Sequence, residues 1–308
     1  MGTRPEAAVA SPLTRSFAQG PFMNQPLRQH TVQCSSPTGL HRLAYLEWGL
    51  PDHPRVLVCV HGLTRCARDF DFLARALASQ YRVVCPDLPG RGSSAWLANP
   101  LEYQLPVYVS DMVTLIARLN VETVHWVGTS LGGLIGMVLA ALPDSPVRAL
   151  VLNDVGPVLT VSSLARIGAY LRQNPALPTL AAAEAHVRAV YAPFGPHSDA
   201  EWKFLTENVV RRNPNGSWRL HYDPALAVAF STSFPEKDTE LWSVYDKIRC
   251  PTLVLRGEHS DLLTRQTAEE MATRGPRAKV VELADVGHAP TLIHQDQIRT
   301  VQEFLLGS

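Results

Sequence analysis

The sequence has no excess of charge of either sign and no long hydrophobic run. Its 308 residues include 28 lysines and arginines and 28 aspartates and glutamates, so the formal net charge is zero with neutral histidines. This balance argues against a protein that binds nucleic acid or a membrane surface through a strongly basic face. No uninterrupted apolar stretch approaches the ~18 residues of a membrane-spanning helix. We therefore expect no nucleic-acid partner and no membrane span.

Cysteine is also scarce, and the motifs that bind metals or nucleotides are absent. The five cysteines, an odd number, form no C-x-x-C pair, so the spacing typical of a zinc or redox site is missing. Neither G-x-G-x-x-G nor G-x-x-x-x-G-K-[ST] occurs, which argues against dinucleotide and phosphate-loop chemistry. We expect no metal and no cofactor, and we expect reduced thiols in a cytoplasmic protein.

From about residue 40, short β-rich runs alternate with longer helical patterns. Strands that are apolar throughout and alternate with helices predict an α/β protein with a mostly parallel sheet flanked by helices. The alternation stops between 156 and 240, where helical stretches with many prolines contain no convincing strand. We predict a core of residues 27–155 and 241–308 and a helical cap insertion at 156–240. Residues 1–26 lack the apolar centre of a signal peptide, which indicates a loose leader.

The most informative segment is the G-x-S-x-G motif at 128–132, with Ser130 at its centre. A predicted strand, 123–128, precedes it, and a mostly apolar predicted helix, 131–142, follows it. A serine at such a sharp turn has a strained backbone, and its close neighbours must lack side chains. The helix directs free N–H groups and its positive dipole end at the serine. We predict that Ser130 is a nucleophile and that the Leu131 N–H stabilises an oxyanion.

A serine nucleophile needs a base, and the base needs an orienting carboxylate. His288 lies in the loop after the last predicted strand and is the candidate base. Asp261 and Asp154 each follow a buried strand, at the strand ends where ligand sites cluster in α/β sheets. We predict Asp261 as the carboxylate, because one short loop can present it to His288. Asp154 is then expected to line the site or to hold the entry of the insertion.

The turn after the predicted strand at 55–60 supplies further candidates. Gly62 lets the backbone bend there, so we expect the Leu63 N–H to be the second oxyanion donor and His61 to brace the turn. Arg65, two residues further on, can bind a substrate carboxylate through its planar fork, or it can brace the fold instead. Candidates for an apolar pocket in the insertion are Leu159, Ile167, Tyr170, Tyr191, Phe194, Trp202 and Phe230.

Five short motifs occur in the order found in the α/β-hydrolase superfamily, which the chain resembles from about residue 40 to residue 306. They are HGL (61–63), PDLPGRGSS (86–94), GTSLGG (128–133), GEHSD (257–261) and VGHAP (286–290). Within the superfamily, the chain resembles serine esterases and lactonases that carry a cap. The resemblance implies a catalytic triad of Ser130, Asp261 and His288 and an oxyanion hole made by Leu63 and Leu131.

The resemblance also implies an activity. It indicates a carboxylesterase, a serine hydrolase that cleaves a small-molecule carboxylic ester through an acyl-enzyme intermediate. The same machinery serves C–C bond hydrolases and lactonases of aromatic or dicarboxylic catabolism, so the sequence leaves these alternatives open. A ligand-sensing pseudo-hydrolase is a more remote alternative, because the expected triad is intact.

Overall fold

The computed structural model of the protein describes residues 27–173 and 175–308. The leader predicted for residues 1–26 therefore lies outside the described residues. The strands within them are β1 (Arg28–Ser36), β2 (Gly39–Trp48), β3 (Val56–Val60), β4 (Arg82–Pro86), β5 (Val124–Thr129), β6 (Val147–Asn153), β7 (Val158–Leu159), β8 (Val210–Arg212), β9 (Trp218–Leu220), β10 (Thr239–Glu240), β11 (Thr252–Gly257) and β12 (Lys279–Leu283).

Eight of these strands form one central sheet. Its order is β1-β2-β4-β3-β5-β6-β11-β12. β2 is antiparallel to both of its neighbours, β1 and β4, whereas every other adjacent pair is parallel. The prediction of a mostly parallel sheet is confirmed.

Helices cover both faces of the sheet. Alternate residues of β3 point to opposite faces, so Leu57 packs with α1 and α10, while Val58 packs with α2 and α3. Because both faces are covered, the central strands are apolar at nearly every position. The helices are α1 (Asp71–Leu77), α2 (Leu105–Arg118), α3 (Leu131–Ala140), α4 (Val161–Leu171), α5 (Leu180–Val190), α6 (Asp199–Val209), α7 (Leu226–Thr232), α8 (Trp242–Tyr245), α9 (Arg265–Met271) and α10 (Gln295–Gly307).

Between β6 and β11 the chain leaves the sheet. Residues 156–240 of this stretch hold helices α4 to α7, and β7 pairs with β10 so that the entry and exit of the segment lie side by side. β8 and β9 form a second antiparallel pair. The expectation of no strand in this segment was therefore wrong, because strands of two or three residues are too short to carry an alternating pattern.

β1 was not predicted either. It lies at one edge of the sheet, and most of its side chains are exposed or half-buried. An edge strand with one wet face can carry polar residues such as those of RQHTVQCSS, so it lacks the apolar run that identifies the central strands.

Two further expectations concern membranes and thiols. None of the helices in 27–173 and 175–308 is both long enough and apolar enough to cross a membrane. All five cysteines are unpaired, and four of them are buried.

Two buried histidines join three loops near the carboxyl ends of the strands. The His61 Nδ1–H donates to the Gly62 carbonyl at 2.7 Å, and the Leu88 N–H donates to His61 Nε2 at 3.0 Å. His221, which follows β9, accepts from the Gly92 N–H at 2.9 Å. Burial lowers the pKa of His61 to about 3 and lowers the pKa of His221 well below its usual value. Both rings are therefore neutral and connect the turn after β3, the loop after β4 and the 156–240 segment.

We expect these histidines to make the fold sensitive to acid. As the pH falls below 6.5, the unfolded chain binds protons at both rings while the folded chain excludes them. The free energy of unfolding then decreases by about 1.4 kcal/mol per pH unit for each ring. For His61 this decrease ends near pH 3. The midpoint of thermal unfolding should fall as the pH is lowered from neutral, and His221→Gln should make that fall shallower.

The matched control is His259→Gln, because His259 is exposed on a loop. Its unfolding midpoint should follow the same pH dependence as the parent protein. The comparison uses slopes, so a uniform loss of stability in His221→Gln does not affect it. A parent-like slope in His221→Gln would contradict the assignment.

Candidate active site

The turn between β5 and α3 holds Ser130 in a left-handed backbone conformation with φ 52°. A Cβ on Gly128 would overlap the Gly132 carbonyl, and a Cβ on Gly132 would overlap the Val60 carbonyl oxygen. The Trp126 indole N–H donates to the Gly132 carbonyl at 3.0 Å and fixes the first turn of the helix. The glycines of the motif are thus required by backbone crowding, and the hydroxyl stands at the end of the sheet.

The hydroxyl of Ser130 belongs to a chain of hydrogen bonds. His288 Nε2 lies 3.0 Å from Ser130 Oγ, and His288 Nδ1 lies 2.7 Å from Asp154 Oδ2. The carboxylate is fully buried, and the imidazole is nearly so. In this arrangement the carboxylate selects the tautomer in which Nδ1 carries the proton, which leaves Nε2 free to accept the serine proton.

Asp154 is held from a second side by the loop after β11. The Gly257 N–H donates to Asp154 Oδ1 at 2.8 Å, and the Ser260 hydroxyl donates to Asp154 Oδ2 at 2.6 Å. The Leu263 N–H in turn donates to the Ser260 hydroxyl at 3.1 Å. These bonds fix the carboxylate in the orientation that His288 requires.

The prediction that Asp261 orients His288 is wrong. Asp261 points away from the imidazole, and its half-exposed carboxylate accepts two hydrogen bonds from the Arg166 guanidinium, one of them from Nη2 at 2.7 Å. The residue of this loop that points inward is Ser260, whose hydroxyl binds Asp154.

The strand order explains why the earlier aspartate takes the position. β6 lies between β5, which carries Ser130, and β11. Asp154 is the first residue after β6, so it lies at the carboxyl ends of the strands, beside the turn that carries Ser130. Asp261 stands four residues beyond the end of β11, where the loop has already turned outward.

The residues of the two predicted oxyanion donors, Leu63 and Leu131, line the same cavity as Ser130. Leu131 begins α3, and the first N–H groups of a helix have no acceptor within the helix. The His61 ring binds the Gly62 carbonyl, and a trans peptide directs the N–H of the next residue, Leu63, to the opposite side. The Leu63 N–H has no hydrogen-bond acceptor among the described residues, so it is available for a substrate oxygen.

Two further residues hold these loops and were not predicted from the sequence. Arg91 is fully buried, and its Nε donates to the Leu63 carbonyl at 2.7 Å. The Asn153 amide donates to Thr129 Oγ1 at 2.9 Å and to the Pro290 carbonyl at 2.8 Å, which joins the ends of β5 and β6 to the loop of the histidine. The available signal for Asn153 was a polar residue at the end of an apolar strand. Arg91 lies within the PDLPGRGSS motif, but nothing local indicated its direction.

Arg65 does not present its planar fork to the site. Its Nε and Nη2 donate to the Asp69 carboxylate at 2.9 and 2.7 Å. The guanidinium lies against the rings of Tyr191 and Phe194, with 4.8 and 5.5 Å between its carbon and the ring centroids. The fork on which the carboxylate-binding prediction depended is therefore occupied. Arg65 instead connects the oxyanion turn to the 156–240 segment.

A cavity of about 450 Å³ opens onto Ser130 and His288. Its wall is mostly apolar and comes from both the sheet side and the 156–240 segment. Trp202 is not part of this wall and packs near His197 instead. The predicted pocket residues that do line it are Leu159, Ile167, Tyr170, Tyr191, Phe194 and Phe230.

Two groups of potential metal ligands occur among the described residues. One is the buried set Cys34, His41 and Asp111, and the other is the exposed set Glu258, His259 and Asp285. Neither group contains a residue of the Ser130 hydrogen-bond chain.

Known proteins resemble this chain over most of its length. The sequence profile of the alpha/beta hydrolase family matches residues 57–301. The 3-hydroxybutyrate-oligomer hydrolase of Cupriavidus necator is 53% identical over 284 residues, which cover 90% of this chain and 97% of that protein. An esterase of Mycobacterium tuberculosis is 29% identical over 275 residues, which cover 86% of this chain and 85% of that protein.

A solved structure agrees with these sequence matches. An alpha/beta hydrolase from Novosphingobium aromaticivorans has a TM-score of 0.82 and 35% sequence identity, over 92% of this chain and 99% of that chain. The predicted resemblance is confirmed in both sequence and architecture, and the chain belongs to the alpha/beta hydrolase family.

Proposed function

We propose that this ester hydrolase cleaves short oligomers of 3-hydroxybutyrate through an acyl-enzyme formed on Ser130. The observation that carries the proposal is the hydrogen-bond chain from Ser130 through His288 to Asp154, which opens onto an apolar cavity. The identity of 53% to a 3-hydroxybutyrate-oligomer hydrolase, over 97% of that protein, supports the choice of substrate. The expectation that the chain hydrolyses ester bonds is confirmed by its relatives.

In the first half of the reaction, Ser130 Oγ attacks the ester carbonyl and its proton passes to His288 Nε2. Asp154 stabilises the imidazolium that forms. The carbonyl oxygen becomes an oxyanion and accepts from the Leu63 and Leu131 N–H groups, each worth about 3 kcal/mol in the transition state. The C–O bond then breaks, and the alcohol leaves with the proton from His288.

In the second half, His288 accepts a proton from a water molecule, which attacks the acyl carbon. The tetrahedral intermediate uses the same oxyanion donors. Its collapse breaks the bond to Ser130, and His288 returns the proton to the serine oxygen. The products are an alcohol and a carboxylic acid, with atoms and protons balanced and no cofactor consumed.

The 156–240 segment acts as the cap in this proposal, and residues 27–155 with 241–308 form the core. Ile167, Tyr170 and Phe230 give the cavity an apolar wall that suits the methyl-bearing chain of a hydroxybutyrate unit. A volume of about 450 Å³ falls within the range of small-molecule sites. The unpaired cysteines support a cytoplasmic location, where thiols stay reduced.

Replacing the nucleophile tests the reaction directly. Ser130→Ala should lower kcat on 3-hydroxybutyrate dimer and trimer by at least about 10³-fold, because the attacking oxygen is lost and little packing changes. Released 3-hydroxybutyrate is the readout, and the midpoint of thermal unfolding checks that the variant is folded. A fluorophosphonate probe should label the parent protein and not the variant.

Different results would contradict different parts of the proposal. Equal labelling of both proteins would show that the nucleophile lies elsewhere. Hydrolysis of p-nitrophenyl butyrate without hydrolysis of the oligomers would support the esterase activity but would show that 3-hydroxybutyrate oligomers are not the substrate. Faster turnover of a lactone or of a ring-cleavage product would favour one of the alternative activities.

The carboxylate is tested by a matched pair of variants. Asp154→Asn should lower kcat by about 10⁴-fold, because the amide no longer selects the reactive tautomer of His288. Asp261→Asn changes the same chemical group in the neighbouring loop and should lower kcat by less than about tenfold, since its carboxylate faces Arg166 and not His288. Steady-state rates on p-nitrophenyl butyrate provide the measurement. If Asp261→Asn is the inactive variant, the assignment of Asp154 is wrong.

A further inference from the structure

The charged side chains in the cavity wall are arginines. Two guanidinium groups, those of Arg65 and Arg166, belong to its wall, and none of the described residues that line it is an aspartate or glutamate. The rest of the wall is mostly apolar. Each guanidinium is paired with a carboxylate outside the wall, Arg65 with Asp69 and Arg166 with Asp261, so an anionic ligand can be bound only where such a pair opens.

The two arginines differ in how firmly they are held. The Arg65 side chain is 5% exposed, forms a part-buried pair with Asp69, and packs against two aromatic rings. The Arg166 side chain is 38% exposed, and its partner Asp261 is 49% exposed. An exposed ion pair contributes little to stability, because water solvates both groups when they separate. Arg166 can therefore exchange Asp261 for another carboxylate, whereas Arg65 stays with its partner.

The position of Arg166 on α4 relates it to the reacting bond. Arg166 and Tyr170 are four residues apart on the same face of the helix, and both line the cavity. Tyr170 lines the cavity together with Thr64, which follows the proposed oxyanion donor Leu63. The backbone of Arg166 thus lies about 6 Å from that of Tyr170 along the helix axis, on the same wall of the cavity.

The proposed substrate carries a negative charge close to its last ester bond. An oligomer of a hydroxy acid has a hydroxyl group at one end and a carboxylate at the other. In its last ester bond, a short –O–CH(CH₃)–CH₂– link joins the scissile carbonyl carbon to that carboxylate, a span of about 5 Å when extended. The leaving alcohol of this bond therefore carries the carboxylate.

We propose that Arg166 binds the terminal carboxylate of the substrate in place of Asp261 and thereby selects the ester bond next to the carboxyl end. This inference rests on the proposed function, since it assigns a recognition site to the same reaction. Arg166 is a specificity-determining residue here, and Asp261 is the carboxylate that occupies its fork when the site is empty. Each cut releases one hydroxy-acid unit.

The test compares two substrates that differ in the charge at one end. One is the 3-hydroxybutyrate dimer with a free carboxylate, and the other is its methyl ester, in which the same inner bond is cleaved. Arg166→Gln should lower the ratio of kcat/KM for the free acid to kcat/KM for the methyl ester by about 10- to 100-fold, because a charge-assisted hydrogen bond is lost. Most of this change should be an increase in KM for the free acid. Arg166→Lys should restore part of the ratio.

Asp261→Asn separates ligand binding from a purely structural role. Removal of the competing carboxylate should raise the ratio several-fold, in the direction opposite to Arg166→Gln. If the ion pair only fastens the cap to the core, both variants will break it and will affect the two substrates equally and in the same direction. Equal changes of that kind would overturn the proposal. Arg172→Gln is the matched control, because Arg172 lies at the end of the same helix and does not line the cavity.

A third substrate separates failure of this inference from failure of the proposed function. The butyryl ester of 3-hydroxybutyrate keeps the carboxylate-bearing alcohol but is not an oligomer. Its free acid and methyl ester give the same ratio even if the oligomers are not cleaved. A ratio near one in the parent protein that Arg166→Gln does not change rejects the carboxylate site. Cleavage of both dimer forms in that case retains the proposed function.

Discussion

The hydrogen bond between His288 and Asp154 joins residues that are 134 positions apart, and the geometry of the site depends on it. Asp154 is itself held by the backbone of Gly257 and the hydroxyl of Ser260, so the loop after β11 supports the carboxylate without supplying it. Asn153 binds the carbonyl of Pro290 and holds the histidine loop from below. An imidazole can relay a proton only when both of its nitrogens are placed, and these contacts place them.

Two guanidinium groups lie beside the turn that carries the proposed oxyanion donor Leu63. Arg91 donates to the carbonyl of Leu63, and Arg65 lies two residues beyond Leu63 in the chain. His61 is kept neutral by burial and orients the turn. Preorganised dipoles and charges of this kind stabilise an oxyanion without rearrangement. In the proposed reaction, Arg166 binds the end of the substrate that is already anionic. Each hydrolysis creates a new terminal carboxylate, so the shortened oligomer would bind in the same way.

The predictions from sequence were most accurate where the signal was local. The strand predicted at 123–128 is β5, Val124–Thr129, and the helix predicted at 131–142 is α3, Leu131–Ala140. Apolar runs and glycines adjacent in sequence determine these elements, because burial on both faces and backbone crowding act over a few residues. The edge strand β1 was missed, since its wet face removes the apolar run, and the short strands of the 156–240 segment were too brief for any pattern.

The sequence by itself determined the turn that carries the proposed nucleophile, because the strand, the glycines, Ser130 and the helix that follows are contiguous. It also reduced the candidates for the proposed base to His288 and those for its carboxylate partner to two aspartates that follow adjacent strands. Only the tertiary structure decided between them. Side-chain direction at a loop depends on what packs against it: Asp154 meets Gly257, Ser260 and the imidazole in the interior, whereas Asp261 meets Arg166 from a helix 95 residues away. No local pattern encodes a contact over such a separation.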